Sequence, residues 1–457
     1  MDKRAGYILA STLLAGEWSQ AAAESRIRGL PGVINRKTKW PRRLVAALFA
    51  NPALRTPPTQ SRLEFFLRHD TLVCKAIVRS AASIDLWADR FNLLELPAPT
   101  MTPASPKFEP WKIPAIATSG QLADRLGLSI SDLDFLADVR NSERFRRNQR
   151  STHYRYSWIS KRNGGQRLLE APKPKLKAAQ RWITKEILAH VPPHDAANAF
   201  IVGRSPITAA QQHSGREVVL RIDLREFFPS VSGSRVGGIF RSVGFPATVV
   251  RLLTGLTTNA AWYGIQTSRT GLSENVDQST LRHYFCAHLP QGAPTSPALA
   301  NLCAYSLDCR LTGLAGKFGG HYTRYADDLV FSGDETFAKT LSRFRILALA
   351  IIHNEGFEIR RRKTQVMKSH QQQKITGLVV NKSPAISRRD FDRLRAILTN
   401  CVRLGPASQN RDLHPDFRAH LQGKIAYVRS VSPGKAERLQ RTMDAIDWSG
   451  EYGDSGA

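Results

Sequence analysis

Two adjacent carboxylates constrain this chain more than any other feature. Tyr325-Ala326-Asp327-Asp328 lies between two short apolar runs, His321 to Tyr325 and Leu329 to Ser332. Such runs read as two strands joined by a tight turn. Neighbouring aspartates in that turn crowd their negative charges, which is unfavourable unless a cation is shared. A solvated turn explains the same residues more plainly, because Asp favours turns. The four residues alone do not choose between the two.

Two further segments bear on the choice. Glu217 to Leu224 is an apolar run carrying Asp223 near its end. It reads as a buried strand that delivers a carboxylate to the edge of a site. Phe227-Phe228-Pro229 then stops the strand. Leu289-Pro290-Gln291-Gly292-Ala293-Pro294-Thr295-Ser296-Pro297 reads as a loop feeding a small-residue helix from about Ala298. Asp223 and Asp327 are far apart in sequence, so only folding can bring them together.

In that order, an aspartate after a strand, a Pro-Gln-Gly loop and Tyr-Ala-Asp-Asp resemble the palm of reverse transcriptases. The wider similarity, from about Tyr154 to Trp448, resembles the bacterial retron-type branch. The resemblance implies an α+β right-hand polymerase fold: fingers, a palm of antiparallel sheet with helices on one face, and a helical thumb. A mostly helical N-terminal extension precedes them. The expected divisions are 1–95 for that extension, 96–118 for a Pro-rich linker, 119–217 for fingers and 218–382 for the palm with fingers insertions. An RNA-binding thumb follows over 383–448, and a tail over 449–457.

The resemblance also implies chemistry. Phosphoryl transfer to a nucleotide needs a deprotonated hydroxyl and a stabilised phosphorus centre, and two Mg²⁺ ions supply both, with Mn²⁺ as an alternative. Mg²⁺ takes hard oxygen ligands and keeps several waters, so a few carboxylates suffice. Asp223, Asp327 and Asp328 are the implied set, with the Leu224 carbonyl completing one shell. Phe228 stands where the family places a sugar gate, an aromatic ring that crowds a ribose 2′-OH and favours deoxynucleotides; a core phenylalanine is the plainer reading. Gln291 and Gly292 would flank the incoming sugar and template base. Tyr325 would back the primer terminus, and small Ala326 would let the turn approach it. Lys363 is the implied general acid for the leaving pyrophosphate, although Arg360, Arg361 and Arg362 beside it also suit a phosphate-binding strip.

Charge points the same way. The 457 residues include 66 basic and 38 acidic side chains, a net charge of +28. Such an excess implies a polyanionic partner, nucleic acid first and an anionic membrane surface second. No run of about 18 apolar residues is present to span a bilayer. Lys3-Arg4 before Ala5 to Gly16, with Ala21-Ala22-Ala23 after, mimics a secretory signal. An amphipathic helix burying Ile8, Leu9, Leu13 and Trp18 is preferred, because an enzyme that uses nucleotides and a template has no use outside the cell. Cys74, Cys286, Cys303, Cys309 and Cys401 are odd in number and contain no C-x-x-C pair. That argues against a zinc site and a disulfide framework, and for a reducing, cytoplasmic setting. The expected partners are a structured non-coding RNA serving as template and primer, its DNA product, dNTPs and an effector protein, with no membrane.

The remaining segments fill in the organisation. Arg42 to Asn51, Gln60 to Arg79 and Ile84 to Asn92 carry apolar residues at helical spacing. Pro97, Pro99, Pro103, Pro106, Pro110 and Pro114 mark a linker or extended strap. Ser119 to Leu126 and Ser131 to Val139 form a helix pair with a helix-turn-helix look. Asp132, Asp134 and Asp138 would repel phosphate there, so a structural pair is preferred. The basic run Arg144, Arg146, Arg147 and Arg150 suits a phosphate contact or a solvated face. Tyr154 to Glu170 reads as a hairpin around Asn163-Gly164-Gly165, and the resemblance brings its Lys161 and Arg167 to the incoming triphosphate. Ala209-Ala210-Gln211-Gln212-His213 stands where retron enzymes show Asn-Ala-x-x-His, with alanine for the asparagine; His213 either touches RNA or packs. Thr258 to His288 reads as a polar insertion. Thr336 to Glu355 reads as a helix across the back of the sheet, Gly356 to Ile359 as a strand, and Ile375 to Asn381 as another. The last resembles the family's Val-Thr-Gly signature, and Gly423 to Val428 its thumb helix. Other readings are a group II intron-like enzyme, a non-retron defence enzyme, and an inactive nucleic-acid-binding regulator; three retained acids argue against the last.

Overall fold

Alternation of buried and exposed side chains builds the first hairpin. Along Tyr154–Ser160 (β1), Tyr154, Tyr156 and Trp158 turn inward while their neighbours stay exposed, the period-two signature of a strand. β1 pairs antiparallel with Gln166–Pro172 (β2), Tyr154 opposite Pro172 and Ser160 opposite Gln166. Gly165, at φ +76°, helps close the turn, and the Lys161 N–H donates to its carbonyl at 2.9 Å. The computed structural model describes residues 3–29, 39–54, 57–69, 100–105, 111–146, 148–161, 165–266 and 278–448. Arg162, Asn163 and Gly164 therefore lie outside the described residues. So do the helices read beyond His69, Cys74, Pro97, Pro99, Pro106 and Pro110, the middle of the polar insertion and the tail.

The hairpin belongs to one of two units, Met1–Pro193 with Phe228–Cys303. In this unit the helices Lys3–Leu14, Gln20–Arg28, Trp40–Ala50 and Gln60–His69 enclose Leu9, Leu13, Ile27, Leu44, Leu48 and Leu63. Trp18 packs on that core and donates to the Leu54 carbonyl at 2.8 Å. The apolar N-terminal stretch is thus an amphipathic helix. The Pro-rich stretch acts locally as a strap, with Thr102 and Ala104 N–H donating to the Gly244 and Ser242 carbonyls. The pair Ser119–Leu126 and Ile130–Ala137 is capped by Thr118 and Ser129. Its Asp132 pairs with Lys175 at 3.0 Å, which fits the structural reading.

The second unit, His194–Phe227 with Ala304–Ala457, is built on a four-stranded antiparallel sheet. Its strands are Val218–Asp223 (β3), Gly320–Tyr325 (β4), Asp328–Gly333 (β5) and Gln365–Lys368 (β6), in spatial order β4-β5-β3-β6. Period two separates the faces. Leu220, Ile222, Leu329, Phe331 and Tyr322 share one face by register. That face meets the helices Tyr305–Lys317 and Glu335–Asn354, Phe331 packing edge-on against Phe344 at 5.0 Å. The other face carries Val219, Val330 and Met367. These join a core with Leu394, Leu398, Leu421, Ile425 and Leu439 from the helices Arg388–Leu404, Phe417–Val431 and Pro433–Asp444. The α+β class, with helices against an antiparallel sheet, is as expected.

Two readings need correction. Gly356 to Ile359 is not a strand: Phe357 is buried against Phe227, and Ile359 makes only a single bridge to Leu224. The fourth strand comes later, at β6, after Arg361–Lys363 has turned the chain. Ile375 to Asn381 is not one strand but a hairpin of Lys374–Ile375 (β7) and Leu378–Val379 (β8). Thr376 at φ 47° and Gly377 at φ 91° bend it, the signs of a type I′ turn. Among the described residues, no helix is long and apolar enough to cross a membrane.

Candidate active site

Strand register brings the sequence-predicted acids of the second unit together. Asp223 ends β3 directly opposite Asp328, the first residue of β5. Tyr325 closes the β4–β5 pairing opposite Asp328, so Ala326 and Asp327 are the two residues of the turn. Only Ala326 of those two has positive φ, 56°. An L-residue there costs roughly 1–2 kcal/mol, strain of the kind that gathers at functional sites. The turn is tied down from below, because the Leu224 N–H donates to the Asp327 carbonyl at 2.8 Å. The Arg360 N–H donates to the Asp223 carbonyl, also at 2.8 Å.

The three carboxylates differ in company. Asp223 is buried, and its Oδ2 accepts from Lys363 Nζ at 2.9 Å. Its Oδ1 is buried without a hydrogen-bond partner, 3.7 Å from Arg360 Nη1. Asp328 is held by a two-point fork from Arg221, Nε to Oδ1 at 3.0 Å and Nη2 to Oδ2 at 2.6 Å. Burial nonetheless leaves its pKa raised. Asp327 is pushed up to about 6, by burial first and then by the charges of Asp328 and Asp223.

Among the described residues, no three His, Cys, Asp or Glu side chains stand grouped to hold a metal ion as they are. Arg221 pairs with Asp328 and Lys363 with Asp223. The donor set still suits a hard divalent cation. Asp223 offers an unsatisfied buried oxygen, and Asp327 carries a like-charge penalty that a cation would relieve. Asp328 would have to leave Arg221 to join them.

Behind the turn sits a buried ion pair that sequence reading missed. Arg324, fully buried in β4, donates Nε to Asp308 Oδ1 at 2.8 Å and Nη2 to Oδ2 at 2.6 Å. Tyr322 OH also donates to Asp308, at 2.8 Å. The signal was an arginine inside an apolar strand. Arg221 gave the same signal, two residues before Asp223 and hence on the same face. His213 packs: its ring nitrogens meet Ser332 Oγ and Thr323 Oγ1, each at 2.7 Å. Burial pushes its pKa down to about 3, and with no exposed surface it is no RNA contact.

The first unit holds the other predicted residues. Arg167 is exposed on β2 and Lys161 half-buried just past β1. Phe228 is half-buried at the start of Phe227–Ser230, whereas Phe227 is buried in the second unit against Phe357. The Gln291 carbonyl accepts from the Glu170 N–H at 2.7 Å, docking the Gln-Gly loop on β2. Gly292 has φ +125°, and a Cβ there would lie 2.9 Å from the Glu170 carbonyl oxygen. Beneath the loop, buried Glu170 meets His288 Nε2 at 2.8 Å and accepts from Asn259 Nδ2 at 2.8 Å. His288 Nδ1 faces the Cys286 carbonyl. Both ring nitrogens thus face acceptors, and Glu170 raises the His288 pKa against the opposing effect of burial.

Comparison with known proteins bears on the family. The family described as reverse transcriptase (RNA-dependent DNA polymerase) matches residues 159–380. The Retron Mx65 reverse transcriptase of Myxococcus xanthus is 40% identical over 336 residues, covering 72% of this chain and 72% of its own. The Retron Mx162 reverse transcriptase of the same organism is 37% identical over 345 residues, 71% of this chain and 66% of its own. The Retron Ec86 reverse transcriptase of Escherichia coli is 31% identical over 289 residues, covering 63% and 79%. Matched at that identity over most of both chains, and with its acids paired across β3 and β5, the chain belongs to the bacterial retron-type reverse transcriptases and is an RNA-directed DNA polymerase.

Proposed function

We propose that the chain copies part of a structured partner RNA into DNA, priming from a 2′-OH of that RNA and leaving a branched RNA–DNA product. The reading rests above all on Asp223 standing opposite Asp328, with Asp327 in the adjoining turn. Asp223 and Asp327 would hold Mg²⁺, joined by Asp328 once its Arg221 fork opens and by the Leu224 carbonyl. Divalent cations bound there would lower the pKa of the primer hydroxyl and offset phosphate charge.

The protein's own groups do the rest. Lys363 Nζ, hydrogen-bonded to Asp223, carries the proton for the leaving pyrophosphate. Tyr325 and the strained Ala326 turn support the primer end. In the first unit, Lys161 and Arg167 meet the triphosphate, Gln291 and Gly292 flank the sugar and base, and Phe228 crowds a 2′-OH. A role in antiphage defence is part of the same proposal, on the resemblance to the retron-type family. Purified protein should extend a DNA primer on an RNA template with deoxynucleotides and Mg²⁺, and Asp327→Asn should be inactive yet still bind RNA. Equal polymerisation by both proteins would reject the site. Nucleic acid from cells carrying the gene should contain a small DNA joined to RNA; a product with only free 5′ ends would reject 2′-OH priming. Phage challenge of those cells tests the defence role, which unchanged plaque counts relative to Asp327→Asn cells would remove.

A further inference from the structure

We propose that Phe145, Tyr263 and Phe285, with Arg144 and Arg146, form a stacking platform for single-stranded RNA on the first unit. The proposal rests on the chain's working on RNA, not on the catalytic roles assigned above. Phe145 is 65% exposed and Tyr263 43% exposed. Their ring centroids are 5.5 Å apart, and Tyr263 continues to Phe285 at 4.9 Å. Two exposed rings backed by half-buried Phe285 form an apolar surface of the kind that meets a partner.

The backbone beneath them is fixed. The Asp138 carboxylate accepts from the N–H of Ser142 and of Glu143, at 3.0 and 2.8 Å, and so caps the short turn Ser142–Phe145. Trp262 Nε1 donates to the Arg146 carbonyl at 2.7 Å, and Trp158 Nε1 to the Ile265 carbonyl at 2.9 Å. The two ring-bearing segments are therefore clamped to each other and to β1. Rings on a braced backbone lose little freedom when a base stacks on them.

The charge around them chooses the occupant. Arg144 lies over the Phe145 ring at 4.7 Å, and Arg146 over half-exposed Phe135 at 5.2 Å. Arg144 Nε is buried without a hydrogen-bond partner. Among the described residues of 138–150, 258–266 and 278–288, the carboxylates are Asp138, engaged in capping the turn, and Glu143. Glu143 is 2% exposed, and burial pushes its pKa up to about 7. The platform thus presents aromatic faces and guanidinium groups; its nearest acid, half-buried Asp138, is occupied by backbone N–H groups, and exposed Asp134 lies beside Phe135. Rings combined with guanidinium groups suit a polyanion whose bases are unpaired. A-form duplex keeps its base faces stacked and out of reach.

Ultraviolet cross-linking of the full chain to a 12-mer of oligouridine, without nucleotide or metal, tests this. Adducts are expected on the peptides containing Phe145, Tyr263 or Phe285. The double variant Phe145→Ala/Tyr263→Ala should bind the oligomer about tenfold or more weakly while binding duplex RNA and melting as the wild type does. Phe145→Tyr/Tyr263→Phe keeps both rings and should retain affinity, which holds the test open should the alanine variant misfold. Adducts confined to other peptides, or equal weakening on single-stranded and duplex RNA, would overturn the platform. So would unchanged oligouridine affinity in the alanine variant, which would leave the surface to a protein partner. Because no polymerisation is measured, failure here leaves the catalytic assignment standing.

Discussion

Asp327 is where stability and activity pull apart. Its folded pKa of about 6 lies above the ordinary aspartate value near 3.9. The folded protein therefore holds this proton more tightly than the unfolded chain does. No penalty exists below about pH 4; it grows as pH rises through 6 and is complete above. Asp327→Asn removes a charge that burial and two neighbouring aspartates disfavour. In metal-free protein at pH 7.5 the variant should be more stable by about 1–3 kcal/mol and catalytically dead. The gain should vanish near pH 4, and Mg²⁺ should raise the wild-type melting temperature more than the variant's. Thermal melts with EDTA and with Mg²⁺, at both pH values, check this; a variant less stable at pH 7.5 would reject the crowding argument. Phe228 is a second single-residue test. Phe228→Val should incorporate ribonucleotides at least several-fold more readily, read from competing extensions, and unchanged sugar discrimination would remove the gate.

At the level of elements, the catalytic hairpin depends on what stands behind it. Arg324 and Asp308 are both without solvent exposure, so removing one partner strands a buried charge. Asp308→Ala should cost about 3–5 kcal/mol in urea unfolding, whereas Arg324→Met/Asp308→Leu should recover much of that. Equal damage by the single and double variants would show that the pair matters for its shape and not its charge. These elements also show what sequence could and could not convey. The acids were legible because period two and a tight turn are local, and a family pattern spans them. The Arg221 fork and the Arg324–Asp308 pair were only half legible. An arginine in an apolar strand announces a partner but does not name it. Glu170 and His288 gave no signal, since their meeting depends on β2 and a loop distant in sequence. The Gly356–Ile359 reading failed because a short run with two apolar residues fits a loop anchored by one buried side chain as well as a strand, and Phe357 is that anchor, packing on Phe227.

For the whole molecule, the decisive quantity is how charge is distributed over cores that do not need it. In Arg388–Leu404 and Phe417–Val431 the buried positions are Leu394, Leu398 and Cys401, and Phe417, Leu421, Ile425 and Val428. They recur at three- and four-residue spacing, which gathers the apolar stripe on one side. Arg389, Arg393 and Lys424 stay exposed beside that stripe. Their charge is thus available to phosphate and contributes little to holding the helices. Each basic side chain withdrawn from a phosphate should reduce the slope of log affinity against log salt by about 0.7–0.9. The triple reversal Arg389→Glu/Arg393→Glu/Lys424→Glu should therefore flatten that slope by roughly two units and weaken RNA binding most at low salt. The melting temperature should move little, because surface charges of this kind are worth under about 1 kcal/mol each. A parallel, undiminished slope would mean that these three side chains do not meet the backbone of the RNA. The +28 excess would then act as a diffuse field that draws RNA in from a distance, and no grip by these helices would remain to be explained.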